Sequence, residues 1–212
     1  MIILNECFFV NRNLTLKSVS GLKWASKYCS NAKFVMKIDD DMVVNTGQLL
    51  NYLEDLIDTD TVEENTFYCK PLYNNKVIRQ SNGPWGHLYM SRADYPYDKY
   101  HTYCQGMAYV FTSRMARLMY NESKRTKLLP MEDVYIGLLG QKINAHFKDI
   151  WEHFLYDWYT LDDRANRFSN FSGASFDKRF LIFIRDFDKD YLDIVSIWKM
   201  LLERHYETEF GL

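Results

Sequence analysis

Residues 33–45 read KFVMKIDDDMVVN. The apolar run 32–38 has the length and composition of a short strand, and it stops at three consecutive carboxylates, Asp39, Asp40 and Asp41. Like charges in a row repel one another and must stay solvated. A hard divalent cation such as Mg²⁺ or Mn²⁺, which takes oxygen ligands, would relieve that repulsion. In an extended chain, Asp39 and Asp41 project to one side and Asp40 to the other. The D-x-D at a strand end is therefore a candidate metal clamp for a diphosphate. The plain alternative for an acidic triplet is a solvated turn.

Outward from this strand, helical and strand signals alternate. Upstream, apolar residues at Leu14, Leu16, Val19, Leu22, Ala25 and Tyr28 predict an amphipathic helix over 13–28, with Trp24 assigned to the core. Downstream, Asn45 or Thr46 caps a helix to about Ile57. Strands are expected at 67–73 and 106–111, the latter carrying Tyr109 into the core, with the turn-rich stretch 74–102 between them. Helices follow at 113–123 and 134–141, a strand at 180–184, and a last amphipathic helix at 190–206. This order predicts a layered α/β domain with a mixed sheet, in which ligands gather beyond the carboxyl ends of strands.

Whole-chain properties narrow the class. The 212 residues, 47% apolar and 17% aromatic, suffice for one domain with a substantial core. The net charge of −2 gives no basic excess for nucleic acid. No stretch is apolar enough for a membrane span, and the opening Met1–Val10 lacks the basic start of a signal peptide. Four scattered cysteines, Cys7, Cys29, Cys69 and Cys104, form no C-x-x-C pair and leave three full pairings, or free thiols, open. Sequons at Asn13, Asn121 and Asn170 suit a luminal protein.

A second acidic pair, Glu132-Asp133, follows Pro130 and opens a helix. Carboxylates there favour the positive end of the helix dipole; equally, one of them can serve as a general base. Taken together, the segments NLTLKS (13–18), GLKWASKYC (21–29), KFVMKIDDDMVVN (33–45), YPYDKYHTYCQGMAYVFTS (95–113) and EDVYIG (132–137) resemble the β-1,3-galactosyltransferase and N-acetylglucosaminyltransferase family, glycosyltransferase family 31. The resemblance is strong from Asn13 to Gly137 and thin afterwards. It implies a GT-A-like nucleotide-sugar transferase fold. The implied reaction is inverting transfer of galactose or N-acetylglucosamine from a UDP-sugar to a hydroxyl of a glycan acceptor, in the Golgi lumen. It also implies Mn²⁺ on Asp39 and Asp41, a UDP diphosphate against Asp39, Asp40 and Asp41, and a base at Asp133, with Glu132 as the alternative. Lys37, Arg79 and Trp85 are possible phosphate or substrate contacts, with solvated charge or loop packing as their ordinary roles.

The sequence also departs from the family pattern. The membrane anchor, the stem and the first nucleotide-binding strands have no counterpart, so 1–212 is expected to be a single, N-terminally partial catalytic domain. The family's Pro-Pro before Tyr-Cys is His101-Thr102 here. A late metal-binding His is replaced by Arg185, leaving His146 and His153 as fallback ligands. Two other functions compete: an inactive remnant that binds carbohydrate or a partner, and a metal-dependent hydrolase, for which no motif is present.

Overall fold

The structure, a computed structural model, describes residues 14–39, 42–82, 86–156, 181–183 and 199. Its contacts divide the chain into two units, one of Met1–Lys37 with Glu63–Asp149 and the other of Ile38–Val62 with Ile150–Leu212.

The first unit is built on a four-stranded sheet of order β1-β4-β3-β5, from β1 (Phe34–Ile38), β3 (Thr66–Leu72), β4 (Tyr103–Thr112) and β5 (His146–Asp149). Strand β3 runs antiparallel to β4 and parallel to β5, so the sheet is mixed. Helices α1 (Leu14–Tyr28), α3 (Ser113–Ser123) and α4 (Glu132–Lys142) pack on one another, and α4 also packs on β4. The core joins Phe67, Cys69, Tyr109 and Phe111 of the sheet to Met115, Met119, Val134, Tyr135 and Leu139 of the helices. Gly137 and Gly140 permit that approach: a Cβ at Gly137 would lie 2.5 Å from Tyr103 Cβ, and one at Gly140 2.6 Å from a Phe67 ring carbon.

Helix α1 turns inward part of the face its apolar spacing predicts, Val19, Leu22 and Ala25, and adds Thr15 to it. Thr15, Leu22 and Ala25 are buried, whereas Leu14, Leu16 and Tyr28 are exposed and Trp24 is 36% exposed rather than in the core. The cause of that addition is polar. The Thr15 hydroxyl donates to the Leu129 carbonyl at 2.7 Å, and the Ser18 hydroxyl donates to Glu132 Oε1 at 2.7 Å. Both bonds tie α1 to the approach to α4, and buried polar groups demand such partners.

Strand β4 is irregular at a telling place. Cys69 pairs with Tyr109 and Pro71 with Cys104, so the single residue Lys70 of β3 faces the four residues 105–108 of β4. This bulge explains why the sequence pattern starts the strand at Gly106, whereas the strand begins at Tyr103. Glycine inside a strand marks such breaks. A disulfide joins Cys69 to Cys104 across the irregularity, Cys29 is free, and Cys7 lies outside the described residues.

The second unit holds β2 (Met42–Val44), α2 (Thr46–Asp58), β6 (Phe154–Tyr156) and β7 (Leu181–Phe183). Its sheet has the order β2-β7-β6, with β2 antiparallel and β6 parallel to β7. Asn45 caps α2 as expected, its side chain accepting the N–H of Gln48 at 3.3 Å. The helix expected at 190–206 lies outside the described residues except for Lys199, which is helical. Among the described residues, no helix is long and apolar enough to cross a membrane.

Candidate active site

Helix α4 begins at the acidic pair itself, two residues before the start its apolar pattern predicts. Met131 at the cap position offers no side-chain bond, so Glu132 and Asp133 supply the negative charge of the first turn. The two carboxylates meet different surroundings. Glu132 is buried, and its Oε1 accepts the hydroxyls of Ser18 at 2.7 Å and Tyr109 at 2.6 Å. Its Oε2 lies 3.9 Å from the ammonium of Lys37. Lys37 also donates to the carbonyl of Gly106 and sits 5.8 Å from the centre of the Tyr109 ring. The ammonium of the KIDDD segment's lysine thus lies against Gly106 and Glu132, with its side chain 23% exposed. Removing the Tyr109 hydroxyl by Tyr109→Phe strips a donor from a buried carboxylate. The expected loss is about 1–3 kcal/mol of stability, read as a lower denaturation midpoint at unchanged slope.

Asp133 is only partly buried, and its Oδ1 accepts the N–H of Val134 at 2.8 Å. Its Oδ2 faces the bulge, where a Cβ on Gly106 would stand 3.3 Å away. Burial pushes the Asp133 carboxyl up to about 7, and the adjacent Glu132 charge adds to the rise. The Val134 N–H and Lys37 pull the other way. Burial chiefly, with a smaller contribution from the Asp133 charge, raises the phenols of Tyr100 and Tyr103, the latter to about 12. The two neighbouring carboxylates therefore differ: one accepts two hydroxyls and faces an ammonium, and the other, pushed up to about 7, accepts the Val134 N–H and faces Gly106. This is the state a general base working at pH 7 needs.

The other candidates fall as follows. Asp39 directly follows β1, partly buried, and its carbonyl accepts the N–H of Met42 at 3.3 Å. Asp40, Asp41 and Trp85 lie outside the described residues, as do Asn13, Asn170 and Arg185. Arg79 donates to the carbonyls of Met90 at 2.7 Å, Tyr95 at 2.7 Å and Tyr97 at 2.5 Å, clamping the turn-rich stretch. Of the fallback ligands, His146 is exposed on β5 and His153 lies with its ring 4.9 Å from that of Tyr52. Among the described residues, no three His, Cys, Asp or Glu side chains converge as a metal site. Gly106, Ser18 and the hydroxyl of Tyr109 escaped sequence reasoning; only a glycine within a strand pattern hinted at the first.

A family model described as Galactosyltransferase matches residues 6–150. This chain belongs to the galactosyltransferase family. It is 36% identical over 145 residues to beta-1,3-galactosyltransferase 1 of Homo sapiens and of Mus musculus, covering 68% of this chain and 43% of each relative. It is 35% identical over 149 residues to beta-1,3-galactosyltransferase 5 of Homo sapiens, covering 70% of this chain and 46% of that protein. The chain thus spans about half the length of the curated relatives it matches. The mixed α/β architecture agrees with the GT-A-like fold of this family, and the matched region contains β1, its acidic triplet and the Glu132-Asp133 pair.

Proposed function

We propose that this galactosyltransferase-family chain carries the acceptor-activating and diphosphate-binding parts of an inverting β-1,3-hexosyltransferase. Its donor would be a UDP-sugar, UDP-galactose or UDP-N-acetylglucosamine, and its acceptor a glycan hydroxyl. The observation that carries this reading is the unequal pair at the start of α4: Glu132 takes the Ser18 and Tyr109 hydroxyls, while Asp133 accepts the Val134 N–H and turns Oδ2 toward Gly106. In the reaction, Asp133 takes the proton from the acceptor hydroxyl as its oxygen bonds to the anomeric carbon. The bond from that carbon to the diphosphate oxygen breaks on the opposite face, and its electron pair leaves with UDP. Gly106 leaves the space that the Asp133 carboxylate occupies, and Lys37 lies 3.9 Å from the neighbouring Glu132.

The consecutive carboxylates after β1 suit a hard divalent ion by their chemistry, and Asp39, at the strand end, retains access to solvent. Asp39 and Asp41 would hold Mn²⁺, which when bound stabilises the negative charge of a leaving diphosphate. The Cys69–Cys104 disulfide supports an oxidising compartment, as expected of the Golgi lumen.

Calorimetric titration of UDP with and without Mn²⁺ tests the donor half. Mn²⁺ is expected to tighten UDP binding at least tenfold, about 1.4 kcal/mol, and Asp41→Ala to remove the gain. Equal affinity with and without the metal would refute the clamp. Glycan binding without any transfer would instead favour a carbohydrate-binding role.

A further inference from the structure

The turn-rich stretch ends in a histidine whose three polar groups are all engaged. His101 Nε2 lies 2.8 Å from the carbonyl of Val134, and Nδ1 lies 2.9 Å from the hydroxyl of Tyr95. The backbone N–H of His101 donates to that same hydroxyl at 3.0 Å. These partners fix the tautomer. A carbonyl only accepts, so Nε2 carries the hydrogen. With that hydrogen on Nε2 of a neutral ring, Nδ1 is the acceptor and the Tyr95 hydroxyl donates to it. The ring is neutral, and burial favours that form. Val134 is therefore held at both ends of its backbone: its carbonyl takes the His101 N–H, and its own N–H donates to Asp133 Oδ1 at 2.8 Å.

We infer that His101 is a positioning residue for Asp133, acting through the backbone of Val134. The Tyr95 hydroxyl orients the imidazole, the imidazole fixes the Val134 peptide, and the Val134 N–H fixes the carboxylate. The inference rests on the reading of Asp133 as the base, but the geometry it concerns can be tested without turnover.

The test is the titration of the Asp133 carboxyl, followed by carbon-detected NMR in the whole chain with specifically labelled aspartate. His101→Phe keeps a ring of similar bulk and removes the donor. His101→Gln restores an N–H that can reach the Val134 carbonyl. Loosening the Val134 N–H withdraws a bond to the ionised form, so the Asp133 midpoint is expected to rise by about half a pH unit or more in His101→Phe and to return in His101→Gln. Glu132, Lys37, Tyr100 and Tyr103, whose charges also bear on Asp133, are untouched by either change. An unchanged midpoint in His101→Phe would overturn the proposal. If that variant fails to fold, Tyr95→Phe, which frees Nδ1, carries the same test, with a smaller rise expected and no rise overturning it. In transfer assays, the His101→Phe acid limb should move to higher pH with kcat down about tenfold and KM unchanged, since small misplacements of reacting groups cost rate more than affinity. A wild type that transfers nothing, with the midpoint still moving, would remove the reading of Asp133 as base and leave the positioning intact.

Discussion

Replacing Asp133 with asparagine is expected to cut transfer by about 10²–10⁴, to leave UDP affinity nearly unchanged, and to raise the melting temperature at pH 8. The first effect follows from chemistry: asparagine keeps the shape and can still accept the Val134 N–H, but it cannot take a proton. The last follows from linkage. Asp133 moves from 3.8, its ordinary value, to about 7 in the folded protein. Between those values the folded state binds a proton that the unfolded state has released, so stability falls as pH rises from about 4 to about 7. At pH 8 the ionised carboxylate costs on the order of 4 kcal/mol at most, less for the solvent it retains, and a neutral amide avoids that penalty. A carboxylate present only to complement the helix dipole predicts the reverse, a loss of about 0.3–1 kcal/mol with turnover intact. Glu132→Gln is the control. It should destabilise the fold by weakening the bonds from Ser18, Tyr109 and Lys37. Removing a like charge should also lower the Asp133 midpoint and so move the acid limb of the rate profile to lower pH. Turnover that survives Asp133→Asn but not Glu132→Gln would exchange the two assignments.

How much of this was readable in the chain depends on what each signal measures. Helix α3 lies at 113–123 as the periodicity predicts, and α2 starts where Asn45 can cap it. Capping and apolar spacing are local, and here local preference and tertiary packing agree. Strands β2, β5 and β6 were missed because three or four residues are too few for a period to declare itself. The inward face of α1 is only partly legible: Val19, Leu22 and Ala25 pack inward as their spacing predicts, but Thr15 and Ser18 bond to Leu129 and Glu132, partners more than a hundred residues away. The acidic residues of the site were legible as residue types at recognisable spacing. Their division of labour was not, because it depends on which hydroxyls and which ammonium the fold delivers to each carboxylate. Lys37 shows the same limit: its position beside the acidic triplet gives no sign that the fold sets its ammonium against the Gly106 carbonyl and 3.9 Å from Glu132.

The cysteines were the least legible feature, and they support the second large effect. Replacing Cys69 and Cys104 together by alanine is expected to cost about 3–4 kcal/mol, because their separation of 35 residues closes a loop between the lengths for which chain entropy gives about 3 and about 4.7 kcal/mol. For a chain of this size that corresponds to a fall in melting temperature of roughly 6–16 °C. The consequence should extend beyond stability. The bridged loop contains Arg79, which gathers the carbonyls of Met90, Tyr95 and Tyr97, and it contains His101. It ends at Cys104, two residues before Gly106 and the bulge that faces Asp133. Opening the bridge should therefore loosen the histidine side and the glycine side of the base together. Thermal melts with and without a reductant, with alkylation to verify that the bond has opened, measure the effect directly. The wild type should lose its excess stability on reduction, while the double alanine variant should melt at one temperature under both conditions. A verified reduction that leaves the wild-type melting temperature unmoved would show that the β3–β4 pairing holds without the bond. The oxidised bridge would then be a sign of the compartment and not a support of the site.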